Sequence, residues 1–477
     1  MTRRRARLAM TAGCLTLGLS SLTGCAGFPA KSPTVQLTAE APLSDLESGG
    51  GAWPQQDWWK QYHDPDLDSL IDMAIASSPT LATAHARFDT AQQSVRLAGA
   101  ASGARVEASG DLTRQRLSDH GLFPPNLLGF HWYNLDDLGL QVSYTFDWWG
   151  KQKHAVESAM DQARAAQADR SAASLMLTSS VADTYFGWQV DQSRLTLAHE
   201  RENTVAREGR IVEARIRADL ESADTVHGAD SSLAAVREQI AELEGSARLR
   251  IVTLAALVGR PSAELPPLTA KPLPSISKGL PDDVRIDLIA RRADLTASRW
   301  RVESAERDRE SARAEFFPDV TINALAGLQS VDLGKLLQYS SRVPSAGAAI
   351  HLPIFDAGRL QARYGATQAA IDGAVANYRD TLISAARDVA TQAASRAQIT
   401  AERAQRQIEV EAAQRLRASA AARVRQGVID ARAELTATES WLQQRDALLQ
   451  LDAAALSSDI GLQRALGGGY ERNAKTP

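Results

Sequence analysis

Cysteine is almost absent: Cys14 and Cys25 are the only two, and both fall within the first 25 residues. Nothing downstream can form a disulfide or a cysteine-ligated metal site, whatever the redox compartment. Histidine is sparse too, and its eight copies never recur at a spacing that puts two on one helix face, so no metal site is expected. Aromatics make up only 5 % of 477 residues, while Ala, Arg, Glu, Gln and Leu dominate. That composition suits long helices packed through small residues better than a bulky globular core. No apolar run beyond residue 25 approaches the ~20 residues of a membrane helix. There is no glycine-rich phosphate loop and no nucleophile elbow, and Gly467-Gly468-Gly469 reads as a helix cap and tail. The chain is therefore not expected to be an enzyme or to bind a cofactor. The formal net charge is −4, which argues against a nucleic-acid partner.

The first residues carry a different signal. Arg3, Arg4, Arg5 and Arg7 precede an apolar stretch from Leu8 to Leu22, which ends in Leu22-Thr23-Gly24-Cys25. The stretch is too short for a spanning helix and reads as a secretory signal over residues 1–24. Its last four residues resemble the lipobox of bacterial lipoproteins. That resemblance implies lipidation at Cys25, with an N-acyl and an S-diacylglycerol group and no other cofactor. Two or more chains would anchor stably where one would not. Ala26, rather than Asp, implies the outer membrane by the same resemblance. Loss of the four arginines takes the net charge from −4 to −8.

One unit is written twice. Ile75-Ala76 through Leu81 to Val106 runs parallel to Ile289-Ala290 through Leu295 to Val320, at an offset of 214 residues. From Gly150 and Gly358 onward the offset is 208 and holds without a gap, through Val181 and Val389, Ala214 and Ala422, Leu254 and Leu462, to Gly259 and Gly467. The first copy spans 25–260 and the second 282–467, followed by a tail over 468–477. Six prolines between Pro261 and Pro281 exclude a regular helix there, so 261–281 reads as an ordered connector.

Each copy opens with a pair of strands, expected near 104–117 and 136–148, then 318–331 and 343–356. Val106, Ala108, Gly110 and Leu112 alternate with Glu107, Ser109, Asp111 and Thr113; Leu138 to Phe146 alternates in the same way. Period two over about ten residues is what a tilted membrane strand needs. A soluble sheet with one wet face would show the same pattern. Trp148 and Trp149 follow the second strand and Phe316 and Phe317 precede the third, which suits an interfacial aromatic belt. Four strands cannot close a membrane barrel, whose smallest form has about eight, and an open edge cannot face lipid. A barrel built from this chain must therefore be shared between copies.

The helices are long. No proline interrupts Gly150 to Arg207 or Gly358 to Arg417; each would extend roughly 85 Å as one helix. A second helix follows each, completing hairpins over about 150–260 and 357–467. Leu435, Leu442, Leu449 and Leu456 recur at spacing seven beside Trp441, Leu448, Ala455 and Leu462; the first copy echoes only the second row, as Leu233, Ile240, Ala247 and Leu254. Heptads of this kind imply antiparallel coiled-coil hairpins.

The duplicated strand-pair and hairpin unit, the lipobox and Phe146-Asp147-Trp148-Trp149-Gly150 resemble the outer-membrane factor family of TolC-like and OprM-like proteins, its NodT-type branch above all. Trp58-Trp59 through Asp64-Pro65 to Leu70-Ile71, and Arg464 to Tyr470, carry the same resemblance. It implies a mostly α fold with a membrane β-barrel: a homotrimer with a shared twelve-stranded barrel, a periplasmic α-helical tunnel, and an equatorial belt from the termini and the connector. It implies a passive exit duct of a tripartite efflux pump, with outer-membrane lipid around it. The partners implied are a periplasmic adaptor and an inner-membrane pump of the RND or MFS type; a duct for type I protein secretion is the alternative.

The same resemblance implies a periplasmic gate where charged residues just past each hairpin tip line a constriction. Carried over by position, Asp224 holds the family's aspartate link at the first tip. At the second, the family's apolar, acidic and basic positions fall on Arg432, Thr436 and Glu439, so the acidic ring is missing at Thr436 and Asp430 or Glu434 would supply it. Ion pairs of Asp224 with Arg425 or Arg432 would hold the tips shut.

Overall fold

The computed structural model describes residues 37, 51–121, 124–276, 279–281 and 291–471. The signal, Cys25, the first nine residues of the second copy (282–290) and the end of the tail lie outside the described residues. The chain divides into two compact units, and each draws on both sequence copies. The duplication is therefore not a division into two bodies.

The first unit takes in Thr90–Arg164 and Trp300–Ala376 and contains the whole sheet. Strands β1 (Arg105–Arg116), β2 (Trp132–Phe146), β3 (Asp319–Ser330) and β4 (Arg342–His351) lie in the order β1-β2-β3-β4. All neighbours are antiparallel, and β2 and β3, from different copies, pair from Asp136↔Ser330 to Phe146↔Val320. β2 starts earlier than the sequence suggests, because its ladder with β1 runs on to Arg116↔Trp132. β4 stops at His351, short of 356; Pro353, two residues on, has no N–H to give a ladder. A single helical turn at Pro125–Leu128 lies between β1 and β2.

Two helices, α1 (Pro65–Ser77) and α2 (Pro79–Ala101), precede the strands. Helix α3 (Lys151–Arg217) follows β2, and α6 (Arg359–Arg425) follows β4; both have 67 residues, a length of about 100 Å at 1.5 Å per residue. The repeated Phe-Asp dipeptide explains their start. Asp147 accepts from the Lys153 amide at 2.8 Å, and Asp356 from that of Leu360 at 2.9 Å, so each carboxylate satisfies a first-turn donor that the helix leaves unpaired. Gly150 and Gly358 turn the chain into the helix at φ 78° and 85°, a conformation glycine adopts without the Cβ penalty.

Helix α4 (Thr225–Val258) returns from α3, α5 (Ala293–Ala314) opens the described part of the second copy, and α7 (Ala431–Ala465) returns from α6. The second unit takes in Leu37–Asp89, Ala165–Arg299 and Asn377 onward. Its core gathers Trp58, Tyr62, Leu67, Leu70 and Ile71 against Leu177, Val181 and Tyr185 of α3, Leu254 and Val258 of α4, and Leu456 and Ile460 of α7. Leu265, Leu268, Leu273 and Ile276 of the connector pack on its rim. This is how a chain with few aromatics holds long helices together: five of its rings (Trp58, Trp59, Tyr62, Tyr185 and Phe186) and the connector's leucines close one girdle around small-residue helices.

A polar network fastens the girdle. Asp64 accepts from the Tyr185 hydroxyl and from Lys271 Nζ, both at 2.7 Å, and caps α1 through the Asp66 amide at 3.1 Å. Gln189 donates to Tyr185 and to the Thr269 carbonyl, and accepts from the Lys271 amide, each at 2.8 Å. Burial pushes the Asp64 carboxyl up, but the bonds from Lys271, Tyr185 and the Asp66 amide outweigh it and hold the group below its usual range. A depressed carboxylate stabilises the fold above its unfolded pKa of ~4 and loses that contribution as pH falls through the folded value. Asp64→Asn is therefore expected to cost about 1–3 kcal/mol at neutral pH, the range for stranding a buried donor. The gap from wild type should narrow at pH 3, as thermal denaturation in detergent can show. An equal gap at pH 3 and pH 7 would contradict the assignment.

Candidate functional site

The first functional surface is the sheet. Pairing keeps even-numbered residues on one face throughout: Val106↔Val142, Val142↔Ala324 and Ala324↔Ala346 lie across all four strands. Val106, Leu112, Leu138, Leu140, Ile322 and Ile350 are all exposed, and all belong to that face. The odd face is polar. Thr145 and Thr321 share a hydrogen bond at 2.9 Å, Gln329 donates to Asp137 at 2.7 Å, and Gln115 bonds Tyr133. Leu135, Leu325 and Val343 are its aliphatic exceptions, Leu325 lying over Gly139. No helix among the described residues is long and apolar enough to cross a membrane; on the sheet, the even face is the exposed apolar one.

Aromatics mark both ends of the strands. At the helix end Trp149 stacks on Phe317 with centroids 4.6 Å apart and donates to the Pro318 carbonyl at 3.0 Å. Trp148 stacks on Phe146 at 5.6 Å, and Phe316 meets Tyr364 edge-on at 6.3 Å. Sequence reading missed the second group. Phe130, Trp132 and Tyr339 are exposed at the loop end, and Phe355 joins the first group; its match to Phe146 in the repeat was the signal.

The second surface is where the two hairpins meet. Within a hairpin, α3 packs on α4 through Ala198, Val205, Val236, Ile240 and Leu243, and Arg201 donates to Gln239 at 2.6 Å. Between hairpins, α3 runs against α7 in a fixed register. Asp183 accepts from Ser457 at 2.7 Å, Arg194 pairs with Asp446 at 2.8 Å, Arg201 with Glu439 at 2.7 Å and Glu208 with Arg432 at 3.4 Å. The last three are seven residues apart forward on α3 and backward on α7, and the sign of the pair reverses at the final rung. Leu435, Leu442 and Leu456 are buried; this heptad row faces the other hairpin rather than serving its own. On its far side α7 meets α6, where Arg406 bonds Gln444 at 2.6 Å. The four helices thus stand in the order α4-α3-α7-α6.

One more step of seven would set Arg215 opposite Arg425. The like charges do not meet: Arg215 turns to Glu221 at 3.1 Å and Asp430 at 3.2 Å. Arg432 also holds Glu221, at 2.9 Å. Arg215, Glu221, Arg432, Glu208 and Asp430 thereby form one chain of alternating charge across both tips. Asp430 caps α7 through the Arg432 amide, and Thr436 bonds back to the Arg432 carbonyl at 3.0 Å. Asp224, the residue carried over as the first tip's link, pairs with neither Arg425 nor Arg432 within the chain, and its side chain caps nothing. Glu439 lies two turns down the helix, bound to Arg201. Glu434 and Leu435 line a groove of about 490 Å³ with Arg207, Arg210, Arg215 and Leu220.

Among the described residues no group of three His, Cys, Asp or Glu side chains could hold a metal.

Comparison with known proteins agrees. A sequence model described as "Outer membrane efflux protein" matches residues 70–260 and 285–468, one match for each copy. The multidrug resistance outer membrane protein MdtP of Escherichia coli strain K12 is 32 % identical over 469 residues, 96 % of each chain. The outer membrane protein VceC of Vibrio cholerae, known from its crystal structure, is 32 % identical with a TM-score of 0.78, over 88 % of this chain and all of that one. The MtrE channel of Neisseria gonorrhoeae, solved in an open state, shares the fold at a TM-score of 0.76 and 24 % identity, over 95 % of this chain and all of that one.

Proposed function

This chain belongs to the outer membrane efflux protein family and is an outer-membrane efflux channel rather than an enzyme, and from that premise we propose that three copies share one barrel to form the exit duct of a tripartite pump. One observation carries the reading: the sheet has an apolar face, a polar face and two unpaired edges, β1 and β4. Neither edge can face lipid, where an unsatisfied backbone group costs several kcal/mol. Two copies would supply eight strands, a barrel whose interior side chains fill. Three supply twelve, with the polar odd face around a lumen. The aromatic groups at both strand ends would sit at the two interfaces.

The helical hairpins extend the duct into the periplasm as coiled coils, and the charged tips close it. A periplasmic adaptor would open them, with an inner-membrane pump of the RND or MFS type providing the energy. Cys25 anchors the mature chain through its acyl chains. Palmitate labelling of cells should mark the wild type and spare Cys25→Ser; equal label in both would rule the anchor out.

Planar-bilayer recording tests the channel itself. Purified protein added to one side should give discrete conductance steps of uniform size. Insertion without conductance at any voltage would refute the duct.

A further inference from the structure

The even face of the sheet differs between its two ends. At the helix end its last positions are Val106, Phe146, Val320 and Ile350, and no even strand position there carries a charge. At the loop end the same face carries three cations, Arg114 and Arg116 on β1 and Arg342 on β4, all exposed. Its one acid, Asp136, is buried. The row Gly110, Leu138, Leu328 and Arg342 crosses the sheet, yet β1 and β2 run past it to Arg116 and Trp132 while β4 starts at Arg342. Tilted barrel strands need such a stagger to end at one level, so the arginines form a single rim. A bilayer with two like leaflets gives no reason for cations at one rim only.

We propose that this rim binds the phosphate groups of an anionic glycolipid of the outer leaflet, a lipid of the lipopolysaccharide class. This rests on the shared-barrel reading above, which turns the even face to lipid and the loop end outward. Arg114 lies over the Trp132 ring at 6.0 Å, and Arg342 over that of Tyr339, with its Nε donating to the Tyr339 carbonyl at 3.1 Å. Neither has an ion pair among the described residues. Arg116 has one, with Asp119 at 3.0 Å, between exposed side chains. An aromatic face fixes a guanidinium without neutralising it. The terminal nitrogens of Arg114 and Arg342 stay free to grip a phosphate through two donors at once.

The height of the rim agrees with that partner. On β2 the apolar even positions run from Phe146 to Leu138, which is ~20 Å of depth for strands tilted about 40°. Asn134, the residue paired with Arg114, is ~10 Å further out at the same tilt. That is headgroup level, and Trp132 beside it stands where an aromatic girdle belongs. Arg342 and the β1 arginines are on the two edge strands, which a shared barrel brings side by side. The closed duct would then carry three such clusters, each drawing on two copies, with the apolar face below them to receive the acyl chains.

Native mass measurement of detergent-extracted trimers, titrated with purified lipid A, tests the rim in the full chain. Wild-type trimers should bind the doubly phosphorylated lipid, and its chemically dephosphorylated form about tenfold more weakly. Arg114→Gln with Arg342→Gln should weaken binding of the phosphorylated lipid by about the same factor and leave the dephosphorylated form unaffected. Arg105→Gln removes an exposed odd-face arginine at the helix end of the same strand and should change neither. Inorganic phosphate at equal concentration should not displace the lipid, because the acyl chains hold it. The two-lipid comparison on the wild type stands even where the double variant fails to assemble. If trimers bind both lipids equally, if the double variant binds as the wild type does, or if phosphate displaces the lipid, the rim proposal falls and the duct stands. If extraction gives no trimers, the shared barrel falls as well.

Discussion

Leu140→Arg is expected to strip the protein from the outer membrane, while Gln141→Arg, one residue on, should leave assembly intact. Leu140 is exposed on the even face near the middle of β2, and an arginine facing lipid at the bilayer midplane costs about 2–4 kcal/mol. The barrel would carry that cost in each of its three copies, on a face where the even positions around Leu140 (Ala108, Leu138, Val142, Ala324 and Ala326) are all apolar or small. Gln141 pairs with Glu107 and Leu325 on the odd face. An arginine there meets water in the lumen and should shift ion selectivity toward anions. The two variants have the same chemistry and differ by one residue, so helix propensity, net charge and expression burden cancel between them. The amount of heat-modifiable trimer in outer-membrane extracts, with reversal potential for Gln141→Arg, reads the difference. Equal loss in both variants would mean that the sheet does not have a lipid face and a water face.

The tips give the second large effect. Removing Arg432 and Arg215 together, as alanines, should raise single-channel conductance above wild type. Glu208, Glu221 and Asp430 would lose the cations that bind the first tip to the second. Each partly exposed link contributes only ~0.2–1 kcal/mol. In the proposed trimer, however, several links in each of three copies would act on one closed state, so their loss would add up. High salt should move the wild type toward the double variant, because screening weakens the same pairs. Asp224→Ala should change far less, since no pair within the chain depends on it. Conductance equal to wild type in the Arg215→Ala, Arg432→Ala protein, with trimers intact, would remove this charge chain from the gate.

Much of this architecture is legible before any coordinates. Alternation in β1 and β2 already separates the lipid face from the wet one, because a strand has only two faces. Proline-free windows mark α3 and α6, and the repeated Phe-Asp and Gly pairs mark where each begins. The leucine row was the subtler clue. Leu435, Leu442 and Leu456 have no echo 208 residues earlier, whereas the row beside them does. A row in only one copy cannot serve a contact both hairpins make internally; it belongs to a seam the chain makes once. Its use against α3 is what the structure shows.

Other features were beyond a single sequence. Arg194 and Asp446 are 252 residues apart in the chain, and only a known register brings them together. Charges at heptad spacing, Arg194, Arg201 and Glu208 against Asp446, Glu439 and Arg432, were the available sign, since they match rung by rung when one helix is reversed. The tip pairs were missed because resemblance directed attention to Asp224, while the geometry of the turn gives Arg432 to Glu221. The Asp64 network draws its members from an N-terminal helix, a long helix and the connector, and no local pattern announces such a meeting.

With its barrel shared as proposed, no copy of this chain is complete by itself. Native mass measurement of the protein extracted in mild detergent tests it most directly. Three copies in one particle, with no membrane-competent monomer, is the result expected from an open four-stranded sheet and an open row of four helices. A stable monomer or a dimer that conducts in a bilayer would contradict it.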